Sequence, residues 1–233
     1  SGFVTTFSSG VTASMGNLIA SETKERAYEV YKRVDFINYW LYTFTATCLL
    51  CLVEPFVAIW LGQDFVLTKA ILILAVAINS GIDIAKNAAG LYYPDRFIPM
   101  AEAIANMVIS IVLAKRYGIA GVLFGTLVSF LALSFWAKPY FVCRDVFEVS
   151  FARYAVREGR EIVVSVLVAA GTWYAVSLVS LENVLLSFGV KALLALALSN
   201  GLLLLVYFKT SEFQYLRGLL ESAANRIGKR KKA

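Results

Sequence analysis

The sequence predicts an all-α fold, a polytopic bundle of transmembrane helices. Three observations predict it. Hydrophobic residues make up 59% of the 233 residues and charged residues 16%, with a mean hydropathy of +0.70; soluble domains hold about 45–50% and about 25%. The apolar excess is gathered in blocks of roughly 17–25 residues, the helix length that crosses about 30 Å of hydrocarbon. The blocks are continuous apolar runs, whereas barrel strands alternate every second residue and open sheets cannot satisfy their edges in lipid.

The elements read in order. Residues 1–20, rich in Gly, Ser, Thr and Ala, predict a helix packed inside a bundle, because small side chains let membrane helices approach closely. The chain opens without Met or signal-peptide order. Its first residues read as the end of a preceding transmembrane helix, in the C-terminal part of a longer protein. A charged connector with a short amphipathic surface helix is expected over 21–35. Four spans are expected within 36–142: Phe36–Leu61, Thr68–Leu91, Phe97–Ala114 and Ile119–Val142. Lys115-Arg116-Tyr117-Gly118 forms the tight connection before the fourth, which carries Gly121 and Gly125 at GxxxG spacing. A basic loop covers 143–161. Two more spans occupy 162–208, turning at Glu182-Asn183, and 209–233 form a basic tail ending in Lys229-Arg230-Lys231-Lys232.

Charge orients this arrangement. The connector holds Lys24, Arg26, Lys32 and Arg33. Lys86 and Arg96 flank the next turn on that side, the loop holds Arg144, Arg153, Arg157 and Arg160, and the tail holds seven more. That makes seventeen of the 22 basic residues, against Lys69, Lys115 and Arg116 on the opposite side. The positive-inside rule makes the first side, and so the C-terminus, cytoplasmic. Basic residues placed at span ends orient a membrane protein, and no nucleic-acid partner is expected. Cys48 and Cys51 form a C-x-x-C inside an apolar span, with no second pair and no His in the chain; they read as small helix residues rather than zinc ligands. No cofactor, metal-ligand cluster or catalytic motif is found, and no enzyme is expected.

Ionisable groups inside spans cost about 2.5–3.5 kcal/mol at a helix centre on insertion scales, so they mark candidate sites. Asn79, Asp83, Lys86, Asn87 and Gly90 form one polar stripe at 3–4 spacing, and Asp83 and Lys86 are placed to pair. The stripe faces either a water-filled cavity or the headgroup zone. Lys191 lies about two turns inside the last span, within reach of its outer end by snorkelling. Arg96 and Glu102 read as an interfacial pair, or Arg96 as a contact for an anionic substrate, since its fork suits phosphate. Tyr92-Tyr93, Tyr39-Trp40 and Trp60 fall at span ends, where aromatic belts form.

One stretch is more specific than composition. It runs from Arg96-Phe97-Ile98-Pro99 through Asn106, Ser110 and Lys115-Arg116-Tyr117-Gly118-Ile119-Ala120-Gly121-Val122 to Gly125-Thr126-Leu127-Val128-Ser129 and Phe135-Trp136-Ala137-Lys138-Pro139-Tyr140. It resembles the second half of the bacterial polysaccharide and O-antigen repeat-unit flippases, as does the opening helix ending Met15-Gly16-Asn17-Leu18. The resemblance covers about residues 1–145. It implies a MATE-like C-terminal lobe with two additional C-terminal helices, in the bacterial inner membrane. It further implies that an undecaprenyl-diphosphate-linked oligosaccharide is moved across the bilayer by alternating access. On that reading Lys86, Arg96, Lys191, Asn79 and Asn87 would meet the substrate, and Asp83 would pair with Lys86 or bind a coupling ion. Expected partners are the lipid-linked oligosaccharide, membrane lipid, and the polymerase and glycosyltransferases of the same pathway. The alternatives are a cation-coupled small-molecule or drug antiporter of the same fold, and a membrane-embedded enzyme of polysaccharide assembly.

Overall fold

The computed structural model describes residues 2–60, 82–93, 96–179, 183–218 and 221. Among them every regular element is helical. The helices are α1 (Gly2–Ser21), α2 (Lys24–Trp60), α3 (Ile82–Ala88), α4 (Ile98–Tyr117), α5 (Ile119–Ala132), α6 (Ser134–Phe141), α7 (Phe151–Ser177) and α8 (Val184–Tyr207). A π-helical turn, Val142–Phe147, continues α6, and residues 211–218 form a last short helix. Five stretches of described helix are long and apolar enough to cross a membrane: Lys24–Val57, Ile98–Tyr117, Phe124–Phe147, Phe151–Ser177 and Val184–Tyr207. Most of the span expected at Thr68–Leu91 lies outside the described residues.

The helices start earlier than hydropathy suggests. Only Glu22 and Thr23 separate α1 from α2, so the stretch expected as a connector is mostly the opening turns of α2. It contains no Gly or Pro, and ion pairs such as Lys32–Glu29 at 2.6 Å support it. The expected basic loop is likewise π-helical to Phe147 and α-helical from Phe151. Conversely, the span expected at 119–142 is interrupted at Leu133, whose N–H is shared between Ser129 and Phe130 carbonyls. Pro139, inside α6, withholds an N–H from the helical ladder.

The packing forms three units. In the first, α2, α7 and α8 make a bundle. Asp35 meets Arg157, Thr43 meets Ser165 and Cys51 clusters with Val176, so α2 and α7 run parallel. Helix α8 runs back, with Tyr207 beside Phe36 and Phe188 beside Phe56. In the second, Tyr28, Tyr31 and Phe147 stack with centroids 5.0–6.0 Å apart, at the centre of a cluster that joins α1, α2, α3, the π turn and the start of α7. Residues 211–218 fold back on the same end, where Arg33 lies 4.7 Å over the Tyr215 ring. The basic starts of α2 and α7 and the end of α8 therefore share one end of the bundle.

The third unit is the hairpin of α4 and α5. Gly118 turns it at φ +58°, where a Cβ is strained. A Cβ on Gly121 would collide with the Leu113 carbonyl, and one on Gly125 would lie 2.7 Å from the Ser110 Cα. Ser110 donates to the Val122 carbonyl at 3.2 Å and Thr126 to Asn106 at 3.3 Å across this contact. The hairpin therefore closes backbone on backbone, as small residues allow in lipid. Its outer surface exposes Met107, Ile111 and Val112, and α8 exposes Leu193 and Leu205. Such faces suit hydrocarbon tails and would be costly in water.

The hairpin contact is testable. Gly125→Leu should destabilise the protein by about 1–3 kcal/mol through overpacking, read as a lower unfolding temperature in detergent. Gly189→Ala, with open space around its Cβ, should leave that temperature unchanged or slightly raised.

Candidate functional site

The residues of the expected polar stripe, and those grouped with it, are distributed as follows. Asp83 is exposed on α3 and pairs across helices with Lys138 of α6, Nζ to Oδ1 3.1 Å. Lys86, one turn on, is 9% exposed. Asn87 is exposed, and its carbonyl accepts the Gly90 N–H at 3.2 Å. Asn79 lies outside the described residues. Arg96 is exposed and stacks over Tyr93 and Phe97 at 4.4 and 4.6 Å. Ser134 donates to Glu102. Asp83, Ser134 and Lys138 line one small crevice between α3 and α6, joined at its base by Tyr154. Lys191 is not brought to this group: it sits one turn from Phe188, whose ring faces Phe56 at the other end of the bundle. About 24 Å of helix separates it from Tyr207 at the charged end. Cys48 and Cys51 are free thiols.

A second constellation is more deeply buried, and it joins residues far apart in the chain. On α2, Asp35, Tyr39, Thr43 and Thr47 recur every four residues; on α7, Tyr154, Arg157, Glu158, Glu161, Ser165 and Thr172 share a stripe at 3–4 spacing. Parallel packing lays these stripes face to face. Arg157 donates to the Asp35 carboxylate, and its Nε lies 3.8 Å from Glu161. The side chains of Arg157, Asp35 and Glu161 are 13%, 3% and 8% exposed. The guanidinium sits 5.5 Å from the Tyr31 ring and 5.7 Å from the Tyr154 ring, a cation–π sandwich that offsets part of its lost hydration. Glu158, on the next residue, lies within hydrogen-bonding reach of Tyr154. Further along, Thr43 and Ser165 share a hydrogen bond of 2.8 Å, Tyr207 donates to Tyr39 at 3.3 Å, and the Trp40 indole donates to Asn200 at 3.0 Å.

Three carboxylates of this arrangement stand at a spacing that could hold a metal ion. Carboxylate oxygens of Asp35, Glu158 and Glu161 lie within 4.8 Å of one another. Sequence spacing could not show it, because Asp35 stands 122 residues from Arg157. The signal available in the sequence is the 3–4 spacing of Arg157, Glu158 and Glu161 ahead of an apolar run.

Breaking a buried ion pair from one side leaves a charge without its counterion, at about 3–5 kcal/mol. Asp35→Asn or Arg157→Gln should lower the unfolding temperature sharply. The double variant should recover part of the loss, and a double-mutant cycle in detergent reads the coupling.

A scan against protein-family models and comparisons with curated proteins and with solved structures gave no match to this chain.

Proposed function

We propose that the chain is part of a translocator that moves a lipid-linked oligosaccharide, carried on a polyprenyl diphosphate, across a bacterial inner membrane. The observation that carries this reading is the crevice of Asp83, Ser134 and Lys138, with Glu102 bonded to Ser134, in a bundle whose hairpin and α8 expose apolar faces. A sugar-diphosphate headgroup cannot enter hydrocarbon unaided. It needs polar walls, a cation to meet the phosphates, and a geometry that opens to one side at a time.

Lys86 stands three residues from Asp83 on α3, and Lys138 is held in the crevice by Asp83. On this reading the Asp83–Lys138 pair is the resting state, and an arriving diphosphate competes with Asp83 for Lys138. Arg96, stacked on two aromatic rings, is pre-positioned to receive anions at the mouth. The residues that resemble the flippases between Arg96 and Tyr140 support the cargo assignment. The gathering of basic residues at one end of the bundle supports a cytoplasmic placement of that end and of the tail.

The test uses the full-length protein in cells. Asp83→Ala, Lys86→Ala and Lys138→Ala should each lower surface polysaccharide by about tenfold or more, on the view that each removes roughly 1.4 kcal/mol or more of substrate interaction. Staining of the cell surface and quantitative blotting of the protein read this together. Unchanged polysaccharide at normal protein levels overturns the reading. Loss of drug extrusion with intact polysaccharide would establish the small-molecule antiporter in its place.

A further inference from the structure

We infer that Asp35, Glu158 and Glu161, with the Tyr31 hydroxyl, form a binding site for one hard, oxygen-ligated cation of Na⁺ or Ca²⁺ size between α2 and α7. Among the described residues Arg157 reaches two of these three carboxylates, bonding Asp35 and lying 3.8 Å from Glu161. Burying them together without a further positive charge is costly, because a buried charge requires a partner. Arg157 is committed to Asp35 and leans toward Glu161, which leaves Glu158 short of a counterion. One Glu158 carboxylate oxygen is buried without a hydrogen-bond partner.

A second observation is independent of the acidic residues. Tyr31 is 1% exposed, and its hydroxyl is buried with no hydrogen-bond partner. The Tyr31 ring lies against the Arg157 guanidinium, 5.5 Å from centroid to carbon, and Tyr31 stands one helical turn before Asp35, so it borders the cluster. A buried hydroxyl left unpaired is uncommon and calls for an explanation; as a neutral oxygen ligand beside carboxylates it has one.

The dimensions fit. The carboxylate oxygens all lie within 4.8 Å of one another, close enough for one ion to touch all three. Ca²⁺ accepts irregular sets of oxygens at about 2.3–2.6 Å, whereas Mg²⁺ demands near-octahedral order and gives up its waters reluctantly. Access exists as well: Glu158 borders a cavity of about 100 Å³ between α6 and α7, lined by Phe135, Trp136 and Gly159. Arg160, which also acts on Glu161, is exposed and lies 5.9 Å over the Tyr207 ring, outside the cluster. The bound ion would tie α2 to α7 beside the ion pair. The site stands apart from the identity of the cargo, since ion binding is measured without transport.

The experiment measures the unfolding temperature of the purified full-length protein at fixed ionic strength in choline chloride, with NaCl, CaCl₂ or MgCl₂ replacing part of the salt. Saturable stabilisation of at least about 3 °C by Na⁺ or Ca²⁺, and less by Mg²⁺, is expected; the salt that acts identifies the ion. Glu158→Gln and Glu161→Gln should each weaken the apparent affinity more than tenfold, and Tyr31→Phe by a smaller factor. Equal responses of the wild-type protein to all salts overturn the site, whatever the variants do. An ion-specific shift that persists in the Glu158→Gln/Glu161→Gln variant also overturns it.

Discussion

The Arg157–Asp35 ion pair sets the terms for the whole bundle. The pair joins two charges that are costly to bury singly, so it favours the register in which Arg157 of α7 reaches Asp35 of α2. Once that register is fixed, the polar groups one turn after another fall opposite each other: Ser165 on Thr43, then Thr172 in the fully buried region beyond. The aromatic stack of Tyr28, Tyr31 and Phe147 supplies the face on which the guanidinium rests and carries the same register to α1, α3 and the π turn. Hydrophobic burial is a weak organiser between helices that already sit in lipid. Polar register and close backbone contact take over that role, the first between α2 and α7 and the second in the α4–α5 hairpin.

The all-α membrane character was legible because it rests on composition and block length, which are properties of single residues summed over a window. The turn at Gly118 and the close contact at Gly121 and Gly125 were legible because they are local. The beginnings of α2 and α7 were not. Hydropathy scores each charged residue as though it faced water, and so it assigned Lys24–Asp35 and Arg153–Glu161 to connectors. Asp35 and Arg157 are tolerable inside because each neutralises the other, a property of the pair and not of either residue. Asp83 illustrates the same limit: spacing on one helix offers Lys86 as a neighbour, whereas the structure joins it to Lys138 from another helix.

The stretch that resembles the flippases also divides by what its residues do. Asn106, Ser110, Gly121, Gly125 and Thr126 brace the hairpin through hydrogen bonds and close approach. They speak for a way of packing two helices. Ser134 and Lys138 line the crevice, and under the proposed function they are the part of the stretch that would meet cargo.

The parallel pairing of α2 with α7 also has a consequence for synthesis. The two partners are 122 residues apart, so at typical elongation of roughly 5–20 residues/s Arg157 emerges about 6–24 s after Asp35. Throughout that interval the contact between Asp35 and Arg157 cannot form. Asp35 stands about a dozen residues from the start of α2, at the charged end, where it can wait in contact with headgroups and water. The final seating of α2 therefore belongs to the arrival of α7.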